Sequence, residues 1–144
     1  MKEITTEKID YGSKWREIDY QVFNSEKFIE ESVQSVIDQS YVHWELLICD
    51  DGSDDNSKEI IKSFVNLDSR IKLVSNQYSK GAPGARNSCL DEAQGRYIAF
   101  LDSDDIWLPE KLEKQLSFMN NNNFSFTYSY YETMNVQGEF KSLC

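Results

Sequence analysis

The chain has 144 residues, one domain's worth, and its 25 acidic against 15 basic side chains give a net charge of −10. That balance excludes a general affinity for nucleic acid or anionic membrane, which wants a basic surface, while 40% hydrophobic and 13% aromatic residues exclude global disorder. No apolar run approaches the roughly 20 residues that span a bilayer, the amino end lacks an apolar signal core, and Cys49, Cys89 and Cys144 fit neither a disulfide framework nor a zinc site; a soluble, reduced, cytoplasmic chain is the expectation.

Residues 1–17 are polar and weakly patterned, and read as a tail or a degraded first element. Asn24 can cap a helix in which Phe28, Ile29, Val33, Val36 and Ile37 recur at helical spacing. Glu45 to Cys49 is a compact apolar run of the kind buried on both faces of a parallel sheet, and Asp50-Asp51-Gly52-Ser53-Asp54-Asp55 follows it. Asn56 and Glu59 resemble a capping box for a helix carrying Ile60, Ile61, Phe64 and Val65 on one side. Ile71 and Leu73 mark a short strand, residues 76–84 a loop, and Ala85 to Ala93 a short helix that Gly95 can end. Tyr97 to Leu101 is the plainest strand, and it runs into Asp102-Ser103-Asp104-Asp105. Pro109 suits the first turn of a helix with Leu112, Leu116 and Met119 on one face. The run Asn120 to Asn123 reads as a loop, and the alternating Phe124, Phe126, Tyr128 and Tyr130 as a half-exposed strand.

Strands alternating with helices imply crossover connections and a mostly parallel sheet with flanking helices, an α/β fold. Ligands of such sheets bind beyond the carboxyl ends of the strands. Both acid-rich clusters would then fall on one edge, where crowded carboxylates repel unless neutralised. A hard cation such as Mg²⁺ or Mn²⁺ takes oxygen ligands and needs only one or two of them from protein. Turns also favour Asp, Ser and Gly for local reasons, so either cluster alone is open to both readings; Asp54 and Asp55 read as helix-start residues. In Gly81-Ala82-Pro83-Gly84-Ala85-Arg86-Asn87, glycines at a helix entrance let backbone N–H groups approach an anion. Arg86 opposes the helix dipole there, so it serves either a phosphate or carboxylate ligand, or a salt bridge to a nearby acid. His43, the single histidine, reads as structural.

Val22-Phe23-Asn24, Asp50-Asp51-Gly52-Ser53, Ala85-Arg86-Asn87, Gly95-Arg96-Tyr97-Ile98 and Phe100-Leu101-Asp102-Ser103-Asp104-Asp105 occur in the order and spacing of family 2 glycosyltransferases, which the chain resembles over about residues 22–131. The resemblance implies the Rossmann-like nucleotide-binding half of the GT-A fold, with 18–144 as one partial domain, incomplete at the carboxyl end. It implies that Asp51 binds the base of a nucleotide, commonly uracil, with Phe23 and Asn24 beside it, and that Arg86 lies near the nucleotide or its diphosphate. Asp102-Ser103-Asp104 looks like the family's DXD motif, Asp104 a direct ligand of Mn²⁺ or Mg²⁺ and Asp102 facing ribose or metal. The implied reaction moves a sugar from a nucleotide-sugar, most commonly a UDP-sugar, to the hydroxyl of a glycan or lipid-linked acceptor, usually with inversion. Polysaccharide biosynthesis in the cytoplasm, or at the inner face of the membrane, would be its setting.

Two departures from the pattern stand out. Gln21 occupies the usual proline position, and Arg16, Glu17 and Asp19 lie in what should be a central strand. Burying an unpaired carboxylate costs several kcal/mol against the roughly 5–15 kcal/mol that holds a domain together. The family's catalytic base, an Asp or Glu, lies well beyond the DXD motif; Glu132 and Glu139 come too early, so no base is assigned and a partner chain completing the fold is one expectation. A non-catalytic remnant or interaction module on the same scaffold, and a phosphatase using Asp102 and Asp104, are the competing readings.

Overall fold

The computed structural model of the chain describes residues 16–135 and 140–143. In chain order it contains β1 (Arg16–Val22), α1 (Ile29–Ile37), β2 (Glu45–Asp50), α2 (Ser57–Leu67), β3 (Ile71–Val74), α3 (Ala82–Glu92), β4 (Tyr97–Asp102) and α4 (Lys111–Asn122). A short antiparallel pair, β5 (Glu132–Met134) and β6 (Phe140–Leu143), follows. The main sheet has the order β3-β2-β1-β4 and every pairing in it is parallel. The expected α/β class therefore holds, and so does its main consequence: Val22 pairs with Asp50 and Gln21 with Asp102, so both acid clusters leave the sheet at one edge.

Alternation along the strands decides which face each residue serves. Ile18, Tyr20 and Val22 of β1 join Leu46, Ile48, Ile71 and Leu101 in a core closed by Ile29, Val33 and Val36 of α1, Ile61 and Phe64 of α2, and Leu112 and Leu116 of α4. Fully burying each such aliphatic side chain is worth about 1.5–3 kcal/mol. The opposite face is thinner. There Leu47 and Cys49 cluster with Ala85 and Cys89 of α3, with the partly buried Val74 and Ala93 packed against them, while Ile98 and Phe100 of β4, the edge strand, remain 43% and 55% exposed.

Two serines of α1 and a glutamine just beyond its end fasten the segment after β4. The Ser32 hydroxyl donates to the Asp105 carbonyl (2.7 Å), Trp107 N–H donates to the Ser35 hydroxyl (3.1 Å), and the Gln39 amide both donates to the Leu108 carbonyl (2.8 Å) and accepts from Leu112 N–H (3.1 Å). Ser32 and Ser35, three residues apart, lie on one face of α1, and Gln39 follows just beyond its end. They fix the chain that leaves the second acid cluster.

Several local expectations are corrected. The first strand begins at Arg16, two residues inside the stretch read as a tail or a degraded first element; residues 1–15 lie outside the described residues. Helix α4 runs through Asn120 and Asn122 and ends on left-handed Asn123 (φ 54°), a conformation Asn tolerates, so the asparagine run is mostly helix rather than loop. Phe124 to Tyr130 forms no strand: Phe126, Tyr128 and Tyr130 are about four-fifths exposed along irregular chain, and alternation without a neighbouring strand to pair with makes no sheet. Asn56 precedes α2 but its side chain makes no capping bond; Asp55 instead accepts from Ser57 N–H (3.0 Å), as a helix-start residue.

Candidate functional site

Three turns, after β1, β2 and β4, are laced together at the strand ends. Asn24 does not cap α1: it sits in the left-handed region (φ 48°), its amide oxygen accepts from Asp54 N–H (2.9 Å), and its N–H donates to the Ser53 hydroxyl (3.0 Å). The carbonyl of Ser25 takes the first helical N–H groups instead. Ser25 is the buried hub of the cluster. Its N–H donates to the Ser57 hydroxyl (2.9 Å), and its own hydroxyl shares a 2.7 Å hydrogen bond with that of Ser103. The Tyr20 hydroxyl donates to the Ser103 carbonyl (3.4 Å) from below. The 102–105 turn is thus held by hydroxyls of β1 and α1 and by the residue between.

Asp51 is 7% exposed and ties a fourth segment to this edge. Its N–H donates to the Val22 carbonyl (2.9 Å), while its carboxylate accepts from the Asn76 amide (2.8 Å) and from Gly81 N–H (2.7 Å). Gly81, at φ 125°, turns the chain into α3, a conformation that disfavours any side chain. Gly84 is needed for a different reason: a Cβ there would lie 2.0 Å from the Ser79 carbonyl oxygen. These two residues let α3 begin hard against Asp51. Five residues on, the Arg86 guanidinium forms an ion pair with Asp102 and lies 5.9 Å from the centre of the Phe100 ring. Phe23 stays 45% exposed at the end of β1, with the Lys80 ammonium 5.2 Å from its ring centre. Asp104 is exposed on the 102–105 turn.

Phe23, Asn24, Asp51, Arg86, Asp102, Ser103 and Asp104 therefore share one sheet edge, and the contacts Asp51–Gly81 and Arg86–Asp102 bridge the two acid clusters through α3. A groove of about 330 Å³ between β3 and α3, lined in part by Lys72, Ser75, Gln77 and Asp91, shares no residue with this cluster. Sequence reasoning missed Ser25, Asn76 and Lys80. Serines in a helix-entry turn are too common to signal a hub, but Asn76 and Lys80 bracket the entrance of a helix already suspected of facing an anion.

The electrostatics are those of crowded acids. Partial burial, with the Asp104 and Asp102 carboxylates nearby, pushes Asp105 above the usual carboxylate range. Asp19 is the extreme case. It is 3% exposed in the middle of the central strand, neither carboxylate oxygen has a hydrogen-bond partner among the described residues, and burial pushes its pKa up to about 6, offset only in part by the Arg86 charge. The cost expected of a charge in β1 is thus met at this residue.

Among the described residues no group of three or more His, Cys, Asp or Glu side chains could enclose a metal ion. Asp102 and Asp104 nevertheless offer two hard oxygen donors on one fastened turn, the protein share of a Mg²⁺-type site that leaves its other positions to water and phosphate. The donor set fits such a cation. No helix among the described residues is long and apolar enough to cross a membrane.

The parallel sheet with its flanking helices is the nucleotide-binding half of a GT-A fold, as its likeness to solved glycosyltransferases shows. The model of "Glycosyl transferase family 2" matches residues 21–141, and the chain belongs to that family. It is 55% identical over 121 residues to the UDP-Glc:alpha-D-GlcNAc-diphosphoundecaprenol beta-1,3-glucosyltransferase WfgD of Escherichia coli, covering 82% of this chain and 47% of that protein. The chain thus spans about half the length of the curated relatives it matches. Among solved structures, S. aureus TarS residues 1–349 in complex with UDP superposes with a TM-score of 0.69 at 28% identity, over 76% of this chain and 33% of that one. The mannosyltransferase PcManGT from Pyrobaculum calidifontis, in complex with GDP-Man and Mn²⁺, shares the fold at a TM-score of 0.68 and 19% identity, over 76% and 33% of the two chains.

Proposed function

We propose that the chain is the donor-binding half of an inverting glycosyltransferase, holding a UDP-sugar at the edge formed by the ends of β1, β2 and β4. The observation that carries the reading is the continuous path of contacts from Asp51 through Gly81 and α3 to Arg86 and Asp102. In this reading the half-exposed Phe23 ring and the remaining lone pairs of Asp51 receive the base, with Asn24 shaping the turn beneath it. Arg86 offers its guanidinium to the diphosphate, a charge-assisted contact of the strong class. Asp102 and Asp104 would hold Mn²⁺ or Mg²⁺, and when bound that cation supplies charge neutralisation to the departing diphosphate. The Ser25–Ser103 hydrogen bond keeps those carboxylates on a fixed turn.

The acceptor in this proposal is a glycan or lipid-linked hydroxyl at the inner membrane face. WfgD, whose name specifies a diphosphoundecaprenol-linked sugar, supports that choice, and TarS, which has also been crystallised with UDP-GlcNAc, supports the donor. A polypeptide carrying the base and the rest of the domain, on this chain's own continuation or a partner, completes the enzyme. The exposed Ile98 and Phe100 on edge strand β4 support that part. The domain proposed spans 18–144, and the strand that opens it begins at Arg16.

Calorimetric titration of the chain with UDP in the presence of Mn²⁺ tests the reading. Saturable binding is expected below millimolar UDP, with Asp104→Ala removing its Mn²⁺ dependence. Absence of binding at millimolar UDP, with far-UV circular dichroism showing a folded chain, would overturn it. That result would favour the second reading, a scaffold without donor affinity, which the buried and unpartnered Asp19 supports.

A further inference from the structure

Arg86 and Lys80 both stand at the strand-end edge, and they are used differently. Arg86 is already engaged by Asp102. Lys80 has no carboxylate within ion-pair distance among the described residues, although Asp50, Asp51, Asp54 and Asp55 crowd the neighbouring turn and the chain carries ten excess negative charges. Its side chain crosses the edge instead. The ammonium lies 5.2 Å from the centre of the Phe23 ring, within cation–π range, and would stand 3.6 Å from a Cβ at Gly52. The neighbouring residue, Gly81, is anchored by its N–H on Asp51, so the root of the lysine is fixed while its head is exposed.

We infer that Lys80 is a donor-contacting residue: its ammonium rests on the Phe23 ring in the free chain and moves onto the phosphates of the nucleotide when the base takes that ring. This rests on the donor-site reading given above. One ring face does not hold both an ammonium and a base, so a base stacking on Phe23 displaces Lys80. An ammonium displaced within reach of a diphosphate gains a charge-assisted hydrogen bond, stronger than the exposed cation–π contact it gives up. Lys80 thereby supplies positive charge to an anionic ligand at an edge otherwise dominated by carboxylates, and it favours phosphorylated over neutral ligands at the same base pocket.

The test is the affinity of the whole chain for UDP at fixed Mn²⁺, measured by calorimetry at low and raised salt for the wild type, Lys80→Met and Lys80→Arg. Lys80→Met is expected to weaken UDP binding about tenfold, as loss of one charged hydrogen bond does, and to make the salt dependence shallower, with Lys80→Arg retaining most of both. Thermal melting should be unchanged, because Lys80 is exposed. Unchanged UDP affinity in Lys80→Met, or a loss with the wild-type salt dependence intact, overturns the inference and leaves the donor site standing. Absence of UDP binding by the wild type overturns both.

Discussion

On the face of the sheet that carries α1, α2 and α4, strand β1 contributes Ile18, Tyr20 and Val22, all fully buried against Leu46, Ile48 and Leu101. On the face that carries α3, the same strand contributes Asp19, buried without a partner, and its neighbour β4 leaves Ile98 and Phe100 half exposed. One strand thus serves two environments, and its alternating text, Glu17-Ile18-Asp19-Tyr20-Gln21-Val22, is that of a strand with a single apolar face. The first face holds the fold together. The second carries a cost, and it is the side from which α3 brings Arg86 to Asp102.

The comparison can be broken most forcefully on the first face. Ile48→Ala should cost about 2–5 kcal/mol in urea unfolding, as a fully buried aliphatic residue facing α1 and α2 does; a cost under 1 kcal/mol would mean that this face is not the core. On the second face Gly84→Ala forces either α3 or the 75–81 loop to move, because the added Cβ meets the Ser79 carbonyl at 2.0 Å. A loss of about 1–3 kcal/mol is expected, together with weakened UDP binding as Gly81 leaves Asp51.

Asp19→Val should act in the opposite direction and stabilise the chain by about 1–3 kcal/mol at neutral pH. The sign follows from burial, which raises the folded-state pKa from 3.8 to about 6. The folded chain then holds the proton more tightly than the unfolded one. Stability from this group is fully present below pH 3.8 and is lost as pH rises through about 6, so the advantage of the variant should appear over that window in denaturation series at stepped pH. A variant less stable than the wild type at neutral pH would show that the carboxylate is paired after all. Smallest of the four, Ser25→Ala removes the hydroxyl bonded to Ser103 and should cost about 0.5–1.5 kcal/mol; it sharpens the comparison if UDP binding with Mn²⁺ suffers more than stability does.

Much of the first face was legible in the sequence because periodicity reports burial directly: the runs at Glu45–Cys49 and Tyr97–Leu101 and the stripes of α1, α2 and α4 follow from it. The misplaced elements are those whose conformation depends on a remote partner. Asn24 favours a helix cap and the left-handed region about equally, and Ser53 and Asp54, some 29 to 30 residues away, decide between them. Phe124 to Tyr130 alternates as a strand does but pairs with none. At the site, residue types and order sufficed to bring Asp51, Arg86 and Asp102 to one edge, since parallel strands fix that edge. Which hydrogen bonds Asp51 makes, and that Arg86 pairs with Asp102 rather than another acid, depends on the path of the 75–81 loop, which periodicity does not describe.

The donor-site claim is tested most directly by following backbone amide signals in a two-dimensional ¹⁵N NMR titration of the chain with UDP and Mg²⁺. Amides of Asp51, Gly81, Arg86 and Ser103 should move together along one saturating curve, with those of Ser75, Gln77 and Asp91 in the β3–α3 groove lagging or still. Shifts concentrated in that groove, or separate curves for the Asp51 and Ser103 turns, would contradict a single nucleotide site at the strand ends.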